Sequence, residues 1–252
     1  MNPKELYYAI DNRVFERHPD YARGVVLAYG VANKPSPQEL TGLLRAAEAS
    51  VRERLNLETL AEHPRIASWR EAYRAFGAKP GKFNPSMENM SRRVLRNDEI
   101  PSISTLVDIG NIVSLRHVIP VGGHAIDLVS QDIELRPATG SEEFVPFGSD
   151  QVENPLPGEI VFVEGNRVLT RRWTWRQANH TLVMPTTTAL EFNVDGLPPV
   201  PKPEIEEACR EVMDLVARFC GGRSRFEIIT RENPKIRISE STPRLPGMNA
   251  GD

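Results

Sequence analysis

The sequence has only two cysteines among its 252 residues, Cys209 and Cys220. Both fall within one predicted helix, where the eleven positions between them correspond to a rise of about 16 Å. A disulfide requires Cα atoms within about 7 Å of each other. We therefore predict two buried, reduced thiols. The five histidines show no zinc-ligand spacing with one another or with the cysteines, so the sequence predicts no metal site.

Several common motifs are also absent. No P-loop, Gly-x-Gly-x-x-Gly or Gly-x-Ser-x-Gly occurs, which argues against the common nucleotide-binding and serine-hydrolase classes, and no cofactor is expected. No apolar run approaches the roughly 18 residues that cross a bilayer. The amino terminus lacks the basic-then-apolar layout of a signal peptide. We therefore expect a cytoplasmic protein without a membrane partner.

An excess of positive charge is missing too. The formal net charge is −3, whereas general polyanion binders carry a basic surplus. No DNA partner is therefore expected. A local basic patch remains compatible with this balance, because the electrostatic potential depends on where charges lie and not on their sum.

The residues that are present predict an α+β fold, with a helical amino-terminal half followed by a mixed or antiparallel sheet assembly. After a buried strand at Gly24–Asn33, apolar residues recur at helical spacing over residues 40–55, 66–76, 87–94, 106–110 and 205–219. Short β-prone runs predict strands at residues 118–121, 125–129, 133–136, 160–164, 168–175, 181–184 and 189–193. We expect one domain over residues 1–235 and a disordered tail over residues 236–252.

Five segments carry a family resemblance. Asp108–Val113 and Ile119–Asp127 resemble a helix bearing Asp and Asn that leads through a glycine turn into a strand opening His-Ala-hydrophobic-Asp. Pro157–Glu164, Thr186–Gly196 and the lead-in Phe83–Ser86 follow the same order and spacing. Over about residues 10–230 the chain thus resembles the B3/B4 editing domain of the phenylalanyl-tRNA synthetase beta subunit, as a free-standing relative. The resemblance implies tRNA as partner. No aminoacylation is implied, because no catalytic core or anticodon-binding module is present.

One segment departs from that family. Synthetase beta chains have a glycine-rich loop where this sequence has Arg171–Gln177, and such glycines let backbone amides approach a substrate closely. If this segment is a strand, Arg171, Trp173 and Trp175 project from one side, and a base or an aromatic side chain can stack on them. A core tryptophan flanked by surface arginines is the alternative interpretation. The synthetase's preference for tyrosine therefore does not carry over.

The resemblance and the residue types together suggest a site. We place His124 or a pocket threonine, Thr186, as the group that positions a water, with Asn111 as polar support. His124 as a simple turn residue, and Asp108 with Asn111 as an internal hydrogen-bonding pair, are the competing interpretations. The predicted substrate contacts share polar or aromatic character near the implied pocket: Asn84, Ser86, Arg172, Trp175, Arg176, Gln177 and Thr181. Helix capping explains Asn84 and Ser86 equally well.

Three functions are compatible with these residues. The leading hypothesis is a protein that binds the aminoacylated 3′ end of tRNA and hydrolyses a mismatched ester, for which a positioned water and an oxyanion contact suffice. The second is an RNA-binding module without catalysis. The third is a pocket for a free amino acid or related metabolite. No feature of the sequence specifies an oligomeric state.

Overall fold

Two β-sheets form the centre of the structure, a computed structural model that describes residues 5–239. The strands are β1 (Tyr7–Ile10), β2 (Ala22–Tyr29), β3 (Val121–Ala125), β4 (Ile133–Pro137), β5 (Ile160–Glu164), β6 (Arg167–Arg171), β7 (Arg176–Gln177), β8 (Ala189–Gly196), β9 (Arg223–Ile229) and β10 (Lys235–Arg237). The larger sheet has six of them in the order β10-β1-β4-β5-β6-β7, all antiparallel except β1 with β4. The smaller sheet has four antiparallel strands in the order β3-β8-β2-β9.

Six α-helices accompany the sheets within the described residues. They are α1 (Asn12–Arg17), α2 (Gln38–Arg54), α3 (Pro64–Ala75), α4 (Ser86–Leu95), α5 (Thr105–His117) and α6 (Lys202–Phe219). Five of them precede the first strand of the carboxy-terminal half, β3. The predicted α+β fold, with its helical amino-terminal half and its mixed and antiparallel sheets, is therefore confirmed.

Strand β2 is buried on both faces, and its alternating side chains enter two different cores. Val26 and Ala28 pack with α2, α5 and α6, whereas Val25 and Leu27 pack with side chains of the larger sheet. A Cβ on Gly24 would lie 2.2 Å from the sulfur of Cys209, so a glycine is needed where α6 crosses this strand. Both cysteines are buried and unpaired, as predicted.

Several predicted strands have other structures. The run at residues 125–129 contains a 3-10 turn (Ile126–Leu128), and residues 181–184 form no strand. The predicted strand at 168–175 ends at Arg171, because Arg172 and Trp173 adopt left-handed backbone conformations with φ of 48° and 63°. The side chains of Arg171–Trp175 therefore do not alternate across a strand as expected.

The carboxy-terminal strand β10 spans the expected domain boundary at residue 235. The side chains of Ile236 and Ile238 are buried against the larger sheet, so the first part of the expected tail is ordered. The remainder of that expected tail, residues 240–252, lies outside the described residues.

Candidate functional site

A cavity of about 460 Å³ lies between the two sheets and reaches the surface beside α5. Its apolar wall comes from α5, β3, β8 and the loop before β8: Leu106, Val107, Val121, Leu182, Val183, Leu190 and Phe192. Its floor includes Arg23, Phe162, Trp173, Asn193 and Asp195, which belong to both sheets and to the turn after β6. The volume falls within the range of about 300–1,000 Å³ usual for small-ligand sites.

A charged network forms the polar part of the floor. Arg23 is 1% exposed, and its Nε lies 2.6 Å from Oδ1 of Asp195 and 2.8 Å from the hydroxyl of Tyr21. Its Nη1 donates to Tyr8, whose hydroxyl donates to Oδ1 of Asn193 at 2.6 Å. Because a charge out of water is costly unless it is paired, these bonds explain how an arginine can lie in this core.

The register of the small sheet brings this network together. Strand β8 alternates apolar residues with Glu191, Asn193 and Asp195, which places three polar side chains on one face. Antiparallel pairing puts Arg23 of β2 directly opposite Asp195. The sequence analysis predicted none of the network residues as part of a site: Tyr8, Tyr21, Arg23, Glu191, Asn193 and Asp195. The alternation of apolar and polar residues over 190–195 is the sequence signal that marks the polar face.

Glu191 is the least satisfied member of the network. It is fully buried, its Oε1 accepts a bond of 3.0 Å from Nδ2 of Asn193, and its Oε2 has no partner among the described residues. Burial raises the pKa of Glu191 to about 8, against the opposing effect of Arg23. A neutral carboxylic acid is therefore the main form of this group near pH 7.

His124 lies beside Glu191, in the strand pairing of β3 with β8. Its Nδ1 lies 2.6 Å from Oγ1 of Thr181 and its Nε2 lies 3.0 Å from Oγ1 of Thr170. Burial, followed by the charge of Arg23, lowers the pKa of His124 to about 3. The imidazole is therefore neutral at pH 7, with a proton on one nitrogen only, and it has a hydrogen-bond partner on each nitrogen, so it can orient a neighbouring hydroxyl.

Gln177 fixes the loop that carries Thr181. Its Nε2 donates to the carbonyl oxygens of Gly123 at 3.0 Å and Thr181 at 3.1 Å. It also lies 3.3 Å from Nδ1 of His124. Gln177 thus lines the cavity and at the same time supports His124.

The helix α5 contributes two residues with different roles. Asp108 is fully buried and accepts bonds from the hydroxyls of Ser36 and Ser102 and from the amide of Ile103 at 3.0 Å. Asn111 lines the cavity. Asp108 therefore fixes the loop before α5, the structural role weighed for it from sequence, and Asn111 is the one that faces the cavity.

Large apolar side chains are exposed at the mouth of the cavity. Ile103 is 64% exposed, Phe147 63% and Met184 50%, and each comes from a different loop. Trp175 and Arg176 line the same opening. Single exposed apolar residues are common on proteins, but a cluster around a cavity is typical of a contact surface. We call these five residues the rim.

The structure brings together six of the ten residues predicted for the site. His124, Asn111, Ser86, Trp175, Arg176 and Gln177 line the cavity, and Thr181 lies behind His124 as its partner. Thr170, which was not predicted, also lines the cavity.

Three predicted residues lie elsewhere. Asn84 is paired with the side chain of Asn89 at 3.1 Å, and Thr186 is exposed in a turn. Arg172 is 7% exposed, and its guanidinium carbon lies 3.7 Å from the ring centroid of Phe83 and 4.3 Å from that of Trp175, so it packs against a rim residue but does not line the cavity. Neither Asn84 nor Ser86 caps α4, whose N-cap residue is a proline.

Within residues 5–239, no group of three His, Cys, Asp or Glu side chains is arranged to hold a metal ion. Over the same residues, no helix has the length and apolar character needed to cross a membrane.

The sequence model of the B3/4 domain matches residues 68–221, more than half of the chain. The chain belongs to the B3/4 domain family. The matched region supplies Asn193, Asp195 and His124, whereas Tyr8 of β1, Arg23 of β2 and Tyr21, which lies directly before β2, precede it. In this B3/4 protein the cavity floor is therefore built jointly by the matched region and the amino-terminal segment.

Among solved structures, the protein is similar to an N-terminal fragment of the phenylalanyl-tRNA synthetase beta-subunit from Pyrococcus horikoshii, with a TM-score of 0.44 and 10% identity. The match covers 94% of this chain and 55% of the fragment, so the chain spans little more than half the length of that relative. No curated protein matched the sequence.

Proposed function

We propose that this B3/4 protein binds the aminoacylated 3′ end of a tRNA, takes the amino-acid side chain into the cavity and hydrolyses a mismatched ester. The observation that carries the proposal is a cavity with apolar walls, a polar floor and a rim that includes the exposed Phe147 and Arg176 and the half-buried Trp175. A side chain fits the lumen, while aromatic and cationic groups at the opening suit a base and a phosphate.

The residues support direct attack by water and not a covalent intermediate. Burial raises the pKa of Cys209 to about 12 and that of Cys220 to about 11, and neither lines the cavity. A thiolate nucleophile is therefore unavailable. An aminoacyl ester is activated, so a positioned water and a hydrogen bond to the developing oxyanion are sufficient.

A panel of tRNAs, each charged with a non-cognate amino acid, tests the proposal. We expect ester loss above the buffer rate for at least one member, with saturation in the concentration of charged tRNA. Binding of tRNA without ester loss from any member would instead support an RNA-binding module. Thermal stabilisation by free amino acids, with neither binding nor hydrolysis of charged tRNA, would indicate a metabolite pocket.

A variant that fills the cavity provides the internal control. Gly122 lies opposite Asn193 in the β3–β8 pair, so a side chain at this position points to the same face as His124. A Cβ there meets no atom within 4 Å. Gly122→Leu is therefore expected to fold and to abolish ester loss. Gly42→Leu makes the same change at an exposed position of α2 that does not line the cavity, and it should keep the activity.

A further inference from the structure

Thr170 is the hydroxyl that His124 presents to the cavity. It belongs to β6, is half-buried and lines the cavity, and its Oγ1 lies 3.0 Å from Nε2 of His124. It makes no other side-chain hydrogen bond among the described residues. What Thr170 offers a ligand thus depends on which nitrogen of His124 carries the proton.

The groups around Nδ1 determine which nitrogen of His124 carries the proton. The amide nitrogen of Gln177 is a donor only, and its position is fixed by the two carbonyl oxygens that accept from it, those of Gly123 and Thr181. This nitrogen lies 3.3 Å from Nδ1 of His124, and a proton on Nδ1 would face another donor there. Nδ1 is therefore the acceptor, and the hydroxyl of Thr181 at 2.6 Å donates to it.

The proton of the neutral imidazole then lies on Nε2 and is donated to Oγ1 of Thr170. With its oxygen already accepting from His124, Thr170 keeps its own hydroxyl hydrogen free. Since Thr170 lines the cavity, that hydrogen is available to an oxygen atom of a bound ligand.

We propose that Thr170 is the oxyanion donor of the hydrolysis, with His124 and Thr181 as the residues that position it. The inference rests on the proposed function. The oxygen of a water attacks the ester carbonyl carbon, the carbonyl π electrons move to its oxygen, and Thr170 donates to that oxyanion. The tetrahedral intermediate then collapses. The bond from carbon to the ribose oxygen breaks, and the proton lost by the water is taken up by the ribose oxygen as it leaves.

Kinetics of matched threonine variants test this role. Thr170→Val keeps the shape of the side chain and removes the hydroxyl, so we expect kcat to fall about 10²–10³-fold with KM little changed. Thr170→Ser should restore kcat to within about tenfold of the natural protein, because it restores the donor. Thr41→Val, on a helix that does not line the cavity, should leave both constants unchanged.

The outcomes separate the two proposals. If the natural protein hydrolyses a charged tRNA and Thr170→Val retains kcat within a few-fold, Thr170 is not the oxyanion donor and the proposed function stands. If the natural protein hydrolyses none of the panel, the proposed function fails first. Thermal unfolding of each variant shows whether a loss of kcat is a loss of folding.

The tautomer of His124 is a readout independent of activity. Nitrogen-15 spectra of the folded protein distinguish a protonated Nε2 from a protonated Nδ1. We expect the proton on Nε2, with its signal shifting in Thr170→Val as the bond to Oγ1 is lost. A proton on Nδ1 would overturn the proposal, because the hydroxyl of Thr170 would then donate its hydrogen to Nε2 of His124 and not to a ligand.

Discussion

Arg23 at the floor of the cavity is 1% exposed and bonds to Asp195 at 2.6 Å, whereas Arg176 at the rim is exposed and donates one bond of 3.3 Å, to the carbonyl of Phe147. The same residue type thus has two different roles. At the floor, low dielectric makes each bond strong and each missing partner costly. At the rim, water competes for every bond, so the side chain is available to a partner.

The difference indicates that the floor and the rim of the cavity have different roles. A floor whose polar groups are held by Tyr8, Tyr21 and Asn193 is pre-organised before any ligand arrives. A rim of loop residues is adaptable and suits a large, mobile partner. If the two regions differ in energy as they do in structure, substitutions at the floor should change the stability and substitutions at the rim should change binding alone.

The largest effect is expected from removal of one charge at the floor. Arg23→Met leaves Asp195 buried without its cation, and breaking a buried pair in this way costs about 3–5 kcal/mol. We expect urea unfolding to show a loss of this size or no folded protein. The double variant Arg23→Met with Asp195→Asn removes both charges and should recover most of the loss. A single variant less than about 1 kcal/mol below the natural protein would show that the floor is not a tightly coupled network.

A smaller effect is expected from the pH dependence of Glu191. Its pKa is about 8 in the folded protein and about 4.3 in an unfolded chain. The folded state therefore binds the proton more tightly, and the stability it gives is present at low pH and is lost as the pH rises towards 8. The pKa of His124 is about 3 in the folded protein, so its effect on stability has the opposite sign. The stability that it contributes is lost as the pH falls below about 6.5, the pKa of histidine in an unfolded chain.

Between pH 6.5 and 8 Glu191 makes the larger contribution of this pair, at a slope of at most about 1.4 kcal/mol per pH unit that halves as the pH reaches 8. His124 offsets about 0.4 kcal/mol of it, because half of its protons in the unfolded chain are lost above pH 6.5. The free energy of unfolding should thus fall by about 1 kcal/mol over this interval in the natural protein. In Glu191→Gln that fall should disappear, while other titrating groups act equally on both proteins. Parallel stability curves for the two proteins would mean that Glu191 is already ionised at pH 6.5.

The contrast between floor and rim also explains what could be predicted from the sequence. Helical periodicity located α2, α3, α4 and α6, and the order of segments around His124 indicated the cavity. The Arg23–Asp195 pair was missed, because it depends on the register between strands 172 positions apart, which hydrophobic patterns do not encode. Trp173 was misplaced because two left-handed residues turn the chain after β6. Two residues of the rim, Trp175 and Arg176, were found because tryptophan and arginine are informative by residue type alone.

The smallest effect, and the one that isolates the rim, is expected from Arg176→Gln. If Arg176 contacts a phosphate, its loss should weaken tRNA binding by less than about tenfold and reduce the slope of log K against log salt by about 1. Stability should be unchanged, since an exposed side chain with one long bond contributes little to folding. Arg231→Gln removes an exposed arginine in the turn between β9 and β10 and should leave the salt slope intact. Equal slopes for Arg176→Gln and the natural protein would show that Arg176 contacts no phosphate of the tRNA.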